Sequence, residues 1–319
     1  MSYRQLTQEQ RYQIGAGLKM GMKKSVIAKE IHVDRSTVWR EIKRNSTPYR
    51  YNPSRAIRLA RERHAGKRKR GIDSEVWAIV DRLLRLRWSP EQIAERLKVE
   101  GLQSVSHETI YRHIYQNKQE GGELYTFLRR CHKYRKRIHK YCSRKGWDTR
   151  RPISERPIVV DERSRIGDWE ADTIIGLERK GGILSLVERR SRYCLLKKIP
   201  TKSAQTVAEA VCTSLLPVKD NVLTITSDNG IEFMRHQSIA DILDADFFFA
   251  DPYSSWQRGT NENTNGLVRQ YFPKKTDFTT LSDSDIQLVN NRLNNRPRKV
   301  LAFRTPNEVF NNCFVALIS

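Results

Sequence analysis

The sequence predicts a multidomain chain: an all-α N-terminal region followed by an α/β domain, a mixed sheet with helices on both faces. The charge is strongly asymmetric, because residues 1–150 hold 36 basic and 15 acidic residues whereas residues 151–319 hold 23 and 21. A helical pattern occurs twice in the basic half. After Pro152 and Pro157 the pattern changes to strands alternating with helices. With 319 residues, the chain has room for two or three domains.

Composition limits the classes of function. A net charge of +23, of which +21 lies in residues 1–150, is typical of a region that binds a polyanion. The mean hydropathy is −0.68, and no apolar run approaches the ~18 residues that span a bilayer, so we expect no membrane partner. Residues 1–13 are mostly polar and resemble no signal segment. Five scattered cysteines without a CxxC pair indicate reduced thiols and a cytoplasmic location.

Residues 1–50 are predicted to form a helix-turn-helix domain. Thr7 to Leu18 has helical spacing, and a second short helix starts across residues 25–31. Asp34 is well placed to cap a third helix, because its carboxylate can accept the free N–H groups of the first turn. Three short helices with a tight turn between the last two are typical of this motif.

The third helix has an inner and an outer face. Val38 and Ile42 are predicted to face inward. The outer face is polar and basic, which suits the major groove of DNA. The predicted DNA contacts in this region are Arg35, Ser36, Arg40, Lys43 and Arg44.

A second helix-turn-helix domain is predicted in residues 74–128. Residues 27–40 are matched by residues 93–112, with a longer turn in the second copy, and residues 89–92 form a capped helix start. Arg112 takes the position of Arg40 in the second copy and is a further predicted DNA contact. A single copy would equally suit a small helical packing unit, but two copies in a basic region favour DNA binding.

Two basic segments flank the second domain, and both are predicted to be linkers. They comprise residues 51–73 and 129–156, with charge runs at 55–70 and 129–145. An isolated charge run is usually a solvated linker. Beside two groove-reading modules, contact with backbone phosphates is the better interpretation.

Residues 157–319 are predicted to form the α/β domain, which would carry the chemistry. Three strands are followed by helix, strand, helix, strand and helix, the order of elements in the ribonuclease H-like fold. The strands are predicted at residues 168–175, 183–188, 193–199, 222–227 and 247–250, and the helices at 201–216, 238–243 and 258–271. In the first of these helices, the residues predicted to face inward are Val207, Ala210, Val211 and Leu215.

Three carboxylates in this domain are candidates for a metal site. Asp172 lies in the first strand, Asp228 closes the fourth at the carboxyl edge, and Glu262 lies in the first turns of the last helix. Carboxylates that converge need a cation to neutralise them, and hard oxygen ligands suit Mg²⁺ or Mn²⁺. Two such ions about 3.5–4 Å apart activate a water or a 3′-hydroxyl and stabilise the leaving oxygen of a phosphodiester.

Each of these carboxylates also has a structural interpretation. Period-two spacing places Asp168 and Glu170 on the same strand face as Asp172, so spacing alone does not choose among them. Asp228 is followed by Asn-Gly and could belong to a simple turn, and Glu262 could serve the helix dipole.

Several longer motifs make the sequence resemble the DDE transposases of bacterial insertion sequences, most closely the insertion-sequence-thirty type. The matching words are GDWEAD at 167–172, TSDNGIEF at 226–233, PYSSWQRGTNEN at 252–263, NGLVRQYFP at 265–273, LNNRPRK at 293–299, RTP at 304–306 and WREIKRN at 39–45. The resemblance implies a catalytic triad of Asp172, Asp228 and Glu262, and terminal inverted-repeat DNA as substrate. It departs from the family at Asp168, where His is frequent, which leaves the role of that position open.

Further candidates surround the last predicted helix. Asn265 and Arg269 follow Glu262 by three and seven positions and share its face, so Arg269 is predicted to point at backbone phosphates, with a plain surface charge as the alternative. Arg258, Asn265 and Arg269 are therefore predicted DNA contacts. Tyr253 and Trp256 either stack on an unpaired base or serve as core or lid residues.

These observations predict a DNA transposase. It would bind the terminal inverted repeats and the target as double-stranded DNA, use Mg²⁺ or Mn²⁺, and act as a homodimer or higher oligomer associated with the bacterial nucleoid. A metal-dependent nuclease of the same fold and a non-enzymatic helix-turn-helix regulator are the alternatives.

Overall fold

The computed structural model describes residues 5–48, 50–66, 71–129, 150–252 and 254–313. The chain divides into two compact units, residues 1–71 and residues 72–319. Most of the two predicted charge runs, residues 67–70 and 130–145, and the side chain of Tyr253 lie outside the described residues. In the part of the chain that is described, no helix is both long and apolar enough to cross a membrane.

In its described residues the first unit has four helices, and the three that were predicted are confirmed. They are α1 (Gln8–Lys19), α2 (Lys24–Glu30), α3 (Arg35–Asn45) and α4 (Pro53–Gly66). Asp34 caps α3, since its side chain accepts the N–H of Ser36 at 2.7 Å. Helix α4 lies in the predicted linker 51–73 and buries Ala56 and Ile57.

Close helix packing in this unit depends on small residues and on one buried ion pair. Ile14, Ile27 and Val38 form its core. A Cβ on Gly17 would lie 2.8 Å from Cγ1 of Ile27, so a side chain there would push α1 away from α2. Glu41, buried on α3, accepts a hydrogen bond of 2.8 Å from Nε of Arg11 and fixes α3 against α1.

The second helix-turn-helix motif has its own apolar core. Its helices are α5 (Ser74–Arg85), α6 (Pro90–Val99) and α7 (His107–Gln119). Ser89 and Gln92 form the predicted capping box at the start of α6. The apolar core contains Val80, Leu83, Leu84, Ile93, Leu97, Ile110 and Ile114.

A six-stranded mixed sheet forms the centre of the second unit. Its elements in chain order are β1 (Arg151–Pro152), α8 (Ile158–Glu162), β2 (Asp168–Ile175), β3 (Gly182–Glu188), β4 (Cys194–Ile199), α9 (Ala204–Leu215), β5 (Thr224–Ser227), α10 (His236–Leu243), β6 (Asp246–Phe249), α11 (Gly259–Tyr271), α12 (Asp283–Asn294) and α13 (Pro306–Phe310). The strand order is β1-β6-β5-β2-β3-β4, with β2, β3 and β4 antiparallel and β2, β5, β6 and β1 parallel. Apart from the short β1, this is the ribonuclease H-like order, and the predicted fold class is confirmed.

Period-two alternation sends the side chains of the sheet into two cores. Leu184 and Leu186 of β3 join the core under α9 and α10, where Val207, Val211 and Leu215 face inward as predicted. The other face of β3 packs under α11 and α12. Helices therefore cover both faces of the sheet.

Helices α12 and α13 were not predicted, although both carry capping boxes in the sequence. Ser282 pairs with Asp285 at the start of α12, and Thr305 pairs with Glu308 at the start of α13. Glu308 is buried and also binds the guanidinium of Arg96 from α6. The second helix-turn-helix motif is thereby joined to the sheet domain within one compact unit, while the predicted boundary between them stays a prediction.

Candidate active site

Two of the three predicted carboxylates lie side by side at the carboxyl edge of the parallel strands. Strands β2 and β5 pair Asp168 with Thr224 and Glu170 with Thr226. Two residues further along the same register, Asp172 comes opposite Asp228. Because β5 ends at Ser227, the Asp228 side chain lies in the loop that opens at this edge.

Hydrogen bonds orient both carboxylates toward a common space. Oδ1 of Asp172 accepts the N–H of Thr173, and its Oδ2 accepts Nδ2 of Asn265, both at 2.8 Å. Oδ1 of Asp228 accepts the N–H of Gly230 at 2.9 Å. The Oδ2 atoms of the two aspartates remain turned toward the gap between them.

A single guanidinium occupies that gap. The Nη1 atom of Arg258 lies 3.6 Å from Oδ2 of Asp172, and its Nη2 atom lies 3.4 Å from Oδ2 of Asp228. Arg258 was predicted to contact DNA, and here it bridges the two carboxylates. The shared cation reduces the repulsion between the two acids without cancelling it.

The electrostatics of Asp172 reflect this crowding. Burial raises the pKa of Asp172 to about 6; Arg258 opposes the rise and Asp228 adds to it. A carboxyl with so high a pKa is poised to gain from a further positive charge.

The other two acids on the same face of β2 are engaged in the core. Asp168 is paired with Arg165, whose Nη2 lies 3.0 Å from its Oδ1. Glu170 accepts a hydrogen bond of 2.9 Å from Nη1 of Arg189 and one of 2.8 Å from the N–H of Asn261. The structure therefore separates Asp172, which faces the edge, from two buried acids that spacing could not distinguish from it.

Glu262 lies in the first turn of α11 and is exposed. Asn265, three residues later on the same helical face, binds Asp172, so this face of α11 is turned toward the two aspartates. Among the described residues, no group of three His, Cys, Asp or Glu side chains is arranged to hold a metal ion. The membership of Glu262 in the site therefore stays a prediction.

For two residues near α11, the structure differs from an interpretation made from the sequence. Arg269 was predicted to point at phosphates, but its Nη2 atom donates to the carbonyl of Ile175 at 2.6 Å, and its guanidinium lies over the Phe278 ring. Trp256 is 74% exposed, so the core interpretation of this residue is wrong. An exposed indole just before α11 remains available for stacking.

Two charged contacts at the site were not predicted. Glu232, the seventh residue of the TSDNGIEF word at 226–233, is buried. It binds Nζ of Lys202 at 2.5 Å and accepts a hydrogen bond of 3.1 Å from the Thr173 hydroxyl. Arg150 donates to Oδ1 of Asn229 at 2.7 Å. No sequence signal pointed to Lys202 or Arg150, because each reaches the site from a segment outside the motifs.

The predicted DNA-reading faces are exposed. The five predicted side chains of α3 (Arg35, Ser36, Arg40, Lys43 and Arg44) are all exposed, as is Arg112 on α7. The inner face of α3 is closed by Val38, which is fully buried. Lys43 lies 4.8 Å from the centre of the Trp39 ring, which holds its ammonium on the outer face.

Helix-turn-helix motifs joined to a ribonuclease H-like domain with paired aspartates at its parallel edge define a DNA-recombining enzyme. A helix-turn-helix domain family matches residues 2–45, and a homeodomain-like domain family matches residues 47–114. Among solved structures, the catalytic core domain of BIV integrase aligns with a TM-score of 0.36 and 21% identity, over 46% of this chain and 95% of that chain.

Curated relatives cover nearly the whole chain. The transposase for insertion sequence element IS4351 of Bacteroides fragilis is 45% identical over 96% of this chain and 95% of its own length. Transposase InsI for IS30A of Escherichia coli K12 is 35% identical over 95% and 82%, and the transposase for IS1086 of Cupriavidus metallidurans is 34% identical over 96% and 94%. The chain belongs to this family of insertion-sequence transposases, which confirms the predicted family and the predicted class of enzyme.

Proposed function

We propose that this transposase binds the terminal inverted repeats of its element and cleaves and transfers DNA strands at a site formed by Asp172, Asp228 and Glu262. The observation that carries the proposal is the meeting of two aspartate Oδ2 atoms, from adjacent strands, around the single cation of Arg258.

The residues at this edge fit a divalent cation. Asp172 and Asp228 supply hard oxygen atoms, as Mg²⁺ and Mn²⁺ prefer. Oδ1 of Asn265 is buried beside them and has no hydrogen-bond partner in the described part of the chain, so the site has a further oxygen to satisfy. Asp172, Asp228 and Glu262 would hold the metal, and bound ions would activate the attacking hydroxyl and stabilise the leaving oxygen of a phosphodiester.

The surrounding side chains prepare the two aspartates for this task. Asn265 and the N–H of Thr173 hold both oxygens of Asp172 in place, and Gly230 holds Oδ1 of Asp228. Without a metal, the guanidinium of Arg258 occupies the gap between the two aspartates. It would leave this gap when a metal enters. Its guanidinium would then lie beside the carboxylates, available to a DNA phosphate.

The N-terminal half supplies recognition. The outer face of α3 would read base edges in the major groove, and Arg112 of α7 would make an equivalent contact in the second motif. Because an element has two ends, we propose at least a homodimer on DNA, working in the bacterial cytoplasm on nucleoid DNA.

The test is Asp228→Asn, compared with Asp241→Asn, an exposed aspartate on α10. We expect Asp228→Asn to lower strand cleavage of a terminal-repeat duplex by at least about 100-fold, because a metal ligand is lost, with end binding unchanged. Asp241→Asn should cleave normally. Unchanged cleavage by Asp228→Asn would overturn the assignment of the site.

Strand transfer is tested separately from cleavage. A pre-cut terminal-repeat duplex with a free 3′-hydroxyl is incubated with wild-type protein and a supercoiled plasmid. Insertion of the duplex into the plasmid is expected for a transposase. Cleavage of intact ends without any insertion would instead indicate a nuclease.

A further inference from the structure

A cavity separate from the carboxylate site lies on the other side of the helix that carries Glu262. Its volume is about 210 Å³, and its lining includes Arg163, Arg192, Arg298, Thr260, Asn263 and Thr264. Among the described residues that line it, none is acidic. Three arginines, two hydroxyls and one amide around one small cavity make a donor-rich site for an oxyanion.

The cavity is distinct from the carboxylate site. Thr260 and Thr264 are four residues apart on α11, and Asn263 follows Thr260 by three, so the three share a face. Glu262 and Asn265 lie on a neighbouring face, where Asn265 binds Asp172. The two sites therefore flank the same stretch of α11.

The arginines of this cavity are incompletely paired by the protein. The guanidinium of Arg163 forms no hydrogen bond or ion pair with the described part of the chain, while Nη1 of Arg192 donates to the Thr260 hydroxyl at 2.7 Å. Arg298 is only 8% exposed, and its Nε atom is buried without a hydrogen-bond partner among the described residues. A buried guanidinium left in this state costs free energy that an anion would recover.

Nearby acids do not supply that anion. Glu170 is already bound by Arg189 and by the N–H of Asn261. Burial and the charge of Arg163 together lower the pKa of Arg192 to about 10, although Glu170 and Glu188 oppose the change. The positive charges of Arg163 and Arg192 therefore repel each other at the cavity.

We propose that the cavity lined by Arg163, Arg192 and Arg298 beside α11 binds a phosphate oxyanion. The source favoured here is a DNA backbone phosphate, which rests on the proposed function. A helix is about 10 Å across and one DNA strand advances about 3.4 Å per nucleotide, so this phosphate lies a few nucleotides from the one that reacts. The alternative source is free inorganic phosphate.

The first arm of the test measures oxyanion binding without DNA. The midpoint of thermal unfolding is recorded in inorganic phosphate and in chloride of equal ionic strength. Phosphate should raise the midpoint by about 2 °C in wild type and in Arg190→Gln, a matched control at an exposed arginine of the adjacent turn. Arg163→Gln should lose this rise. Asn263→Glu, which places a carboxylate at an exposed position of the lining, should lose it too.

The second arm identifies the source. Single methylphosphonates, which remove one phosphate charge each, are placed along a pre-cut terminal-repeat duplex. At one position a few nucleotides from the cut, the methylphosphonate should lower the affinity for the duplex about tenfold in wild type and in Arg190→Gln. Because Arg163→Gln has already lost this contact, the same methylphosphonate should not lower its affinity further. In a different outcome, Arg163→Gln and Asn263→Glu lose the phosphate response in the first arm, but no methylphosphonate position gives this pattern in the second arm. The cavity would then bind free phosphate and not a DNA phosphate.

The two proposals fail in different ways. Equal behaviour of Arg163→Gln, Asn263→Glu and Arg190→Gln in both arms would overturn the oxyanion site, whatever the cleavage activity. Normal cleavage by Asp228→Asn would overturn the proposed catalytic site, and the thermal arm would still decide what the cavity binds.

Discussion

At the scale of single residues, the surroundings of Asp172 make the ionised form of its carboxyl group unfavourable. Asp172 is largely buried and lies beside Asp228, and the shared guanidinium of Arg258, with a smaller contribution from Lys202, only partly offsets these effects. The outcome is a pKa of about 6, well above the ordinary value of 3.8. Ionised Asp172 therefore destabilises the metal-free fold, as expected of a group whose position serves binding rather than stability.

This state predicts a pH-dependent gain in stability for Asp172→Asn. Because the folded-state pKa is raised, the ionised form of Asp172 is penalised in the folded protein. This penalty is absent well below pH 4, grows between about pH 4 and pH 6, and is complete above pH 6. With EDTA present, Asp172→Asn should be more stable than wild type at pH 8 by on the order of 2 kcal/mol. At pH 4.5 the gain should fall to about a third of that value.

Urea unfolding at the two pH values measures this difference. The Asp241→Asn variant, at an exposed position of α10, serves as the control and should match wild type at both pH values. A gain for Asp172→Asn that is larger at pH 4.5 than at pH 8 would contradict the assigned direction of the pKa shift.

At the scale of elements, α3 is a helix whose two faces have separate tasks. Val38 packs inward at full burial, while Arg40 and its neighbours on the outer face make no contribution to the core. The Asp34 cap and the buried Glu41 fix the start and the middle of the helix against the rest of the unit. An outer-face substitution should therefore change binding with little effect on folding.

Arg40→Ala is expected to weaken binding to the element's ends more than binding to random duplex, because base contacts carry specificity and phosphate contacts do not. The loss on the specific duplex should be about 5- to 100-fold. Fluorescence anisotropy at one fixed salt concentration measures both affinities.

Lys19→Ala provides the control, since Lys19 is an exposed basic residue in the last turn of α1. Its loss of charge should affect both duplexes similarly. If Arg40→Ala also weakened both duplexes equally, base reading by α3 would be excluded.

At the scale of the whole molecule, a buried ion pair joins the second helix-turn-helix motif to the sheet domain. Nη2 of Arg96 lies 2.6 Å from Oε1 of Glu308, and Nη1 lies 2.8 Å from Oε2, a bidentate pair in which both residues are almost fully buried. Gln92 adds a hydrogen bond of 2.7 Å to the carbonyl of Pro297. These contacts fix α6 relative to the helices that follow the sheet.

Glu308→Ala should destabilise the protein by roughly 3 kcal/mol, because it leaves the Arg96 guanidinium buried without its main partner. The triple variant Arg96→Met/Glu308→Leu/Glu100→Gln should recover most of that loss. It also removes the charge of Glu100, whose Oε1 lies 2.6 Å from Nε of Arg96 at a side-chain exposure of 6%, so no member of the buried ion pairs stays charged. Guanidinium unfolding of the full chain measures both.

An exposed ion pair in the same region provides the comparison. Lys299 and Glu91 lie 2.7 Å apart at side-chain exposures of 74% and 49%. Lys299→Ala should cost much less than Glu308→Ala, because an ion pair in contact with solvent contributes little to stability. A cost equal to that of Glu308→Ala would show that burial does not set the strength of these pairs.

Prediction from sequence succeeded where a pattern is local. The spacing of Val207, Val211 and Leu215 indicated α9, and Asp34 and Ser89 marked the starts of α3 and α6, because periodicity and caps act within one or two turns. Helices α12 and α13 were missed although capping boxes announce them. Arg150 and Lys202 could not have been placed at the site, because only long-range contacts bring them there.

The sequence by itself determined the order and kind of the elements from β2 to α11, the basic outer face of α3 that is predicted to read DNA, and the set of acids from which a catalytic site could be drawn. Only the tertiary structure decided how those acids differ. Asp168 and Glu170 share a strand face with Asp172, yet each is bound by a buried or half-buried arginine, while Asp172 alone comes opposite Asp228. The physical reason is that a period of two sets the face of a side chain, whereas its charge environment depends on neighbours that are distant in the chain.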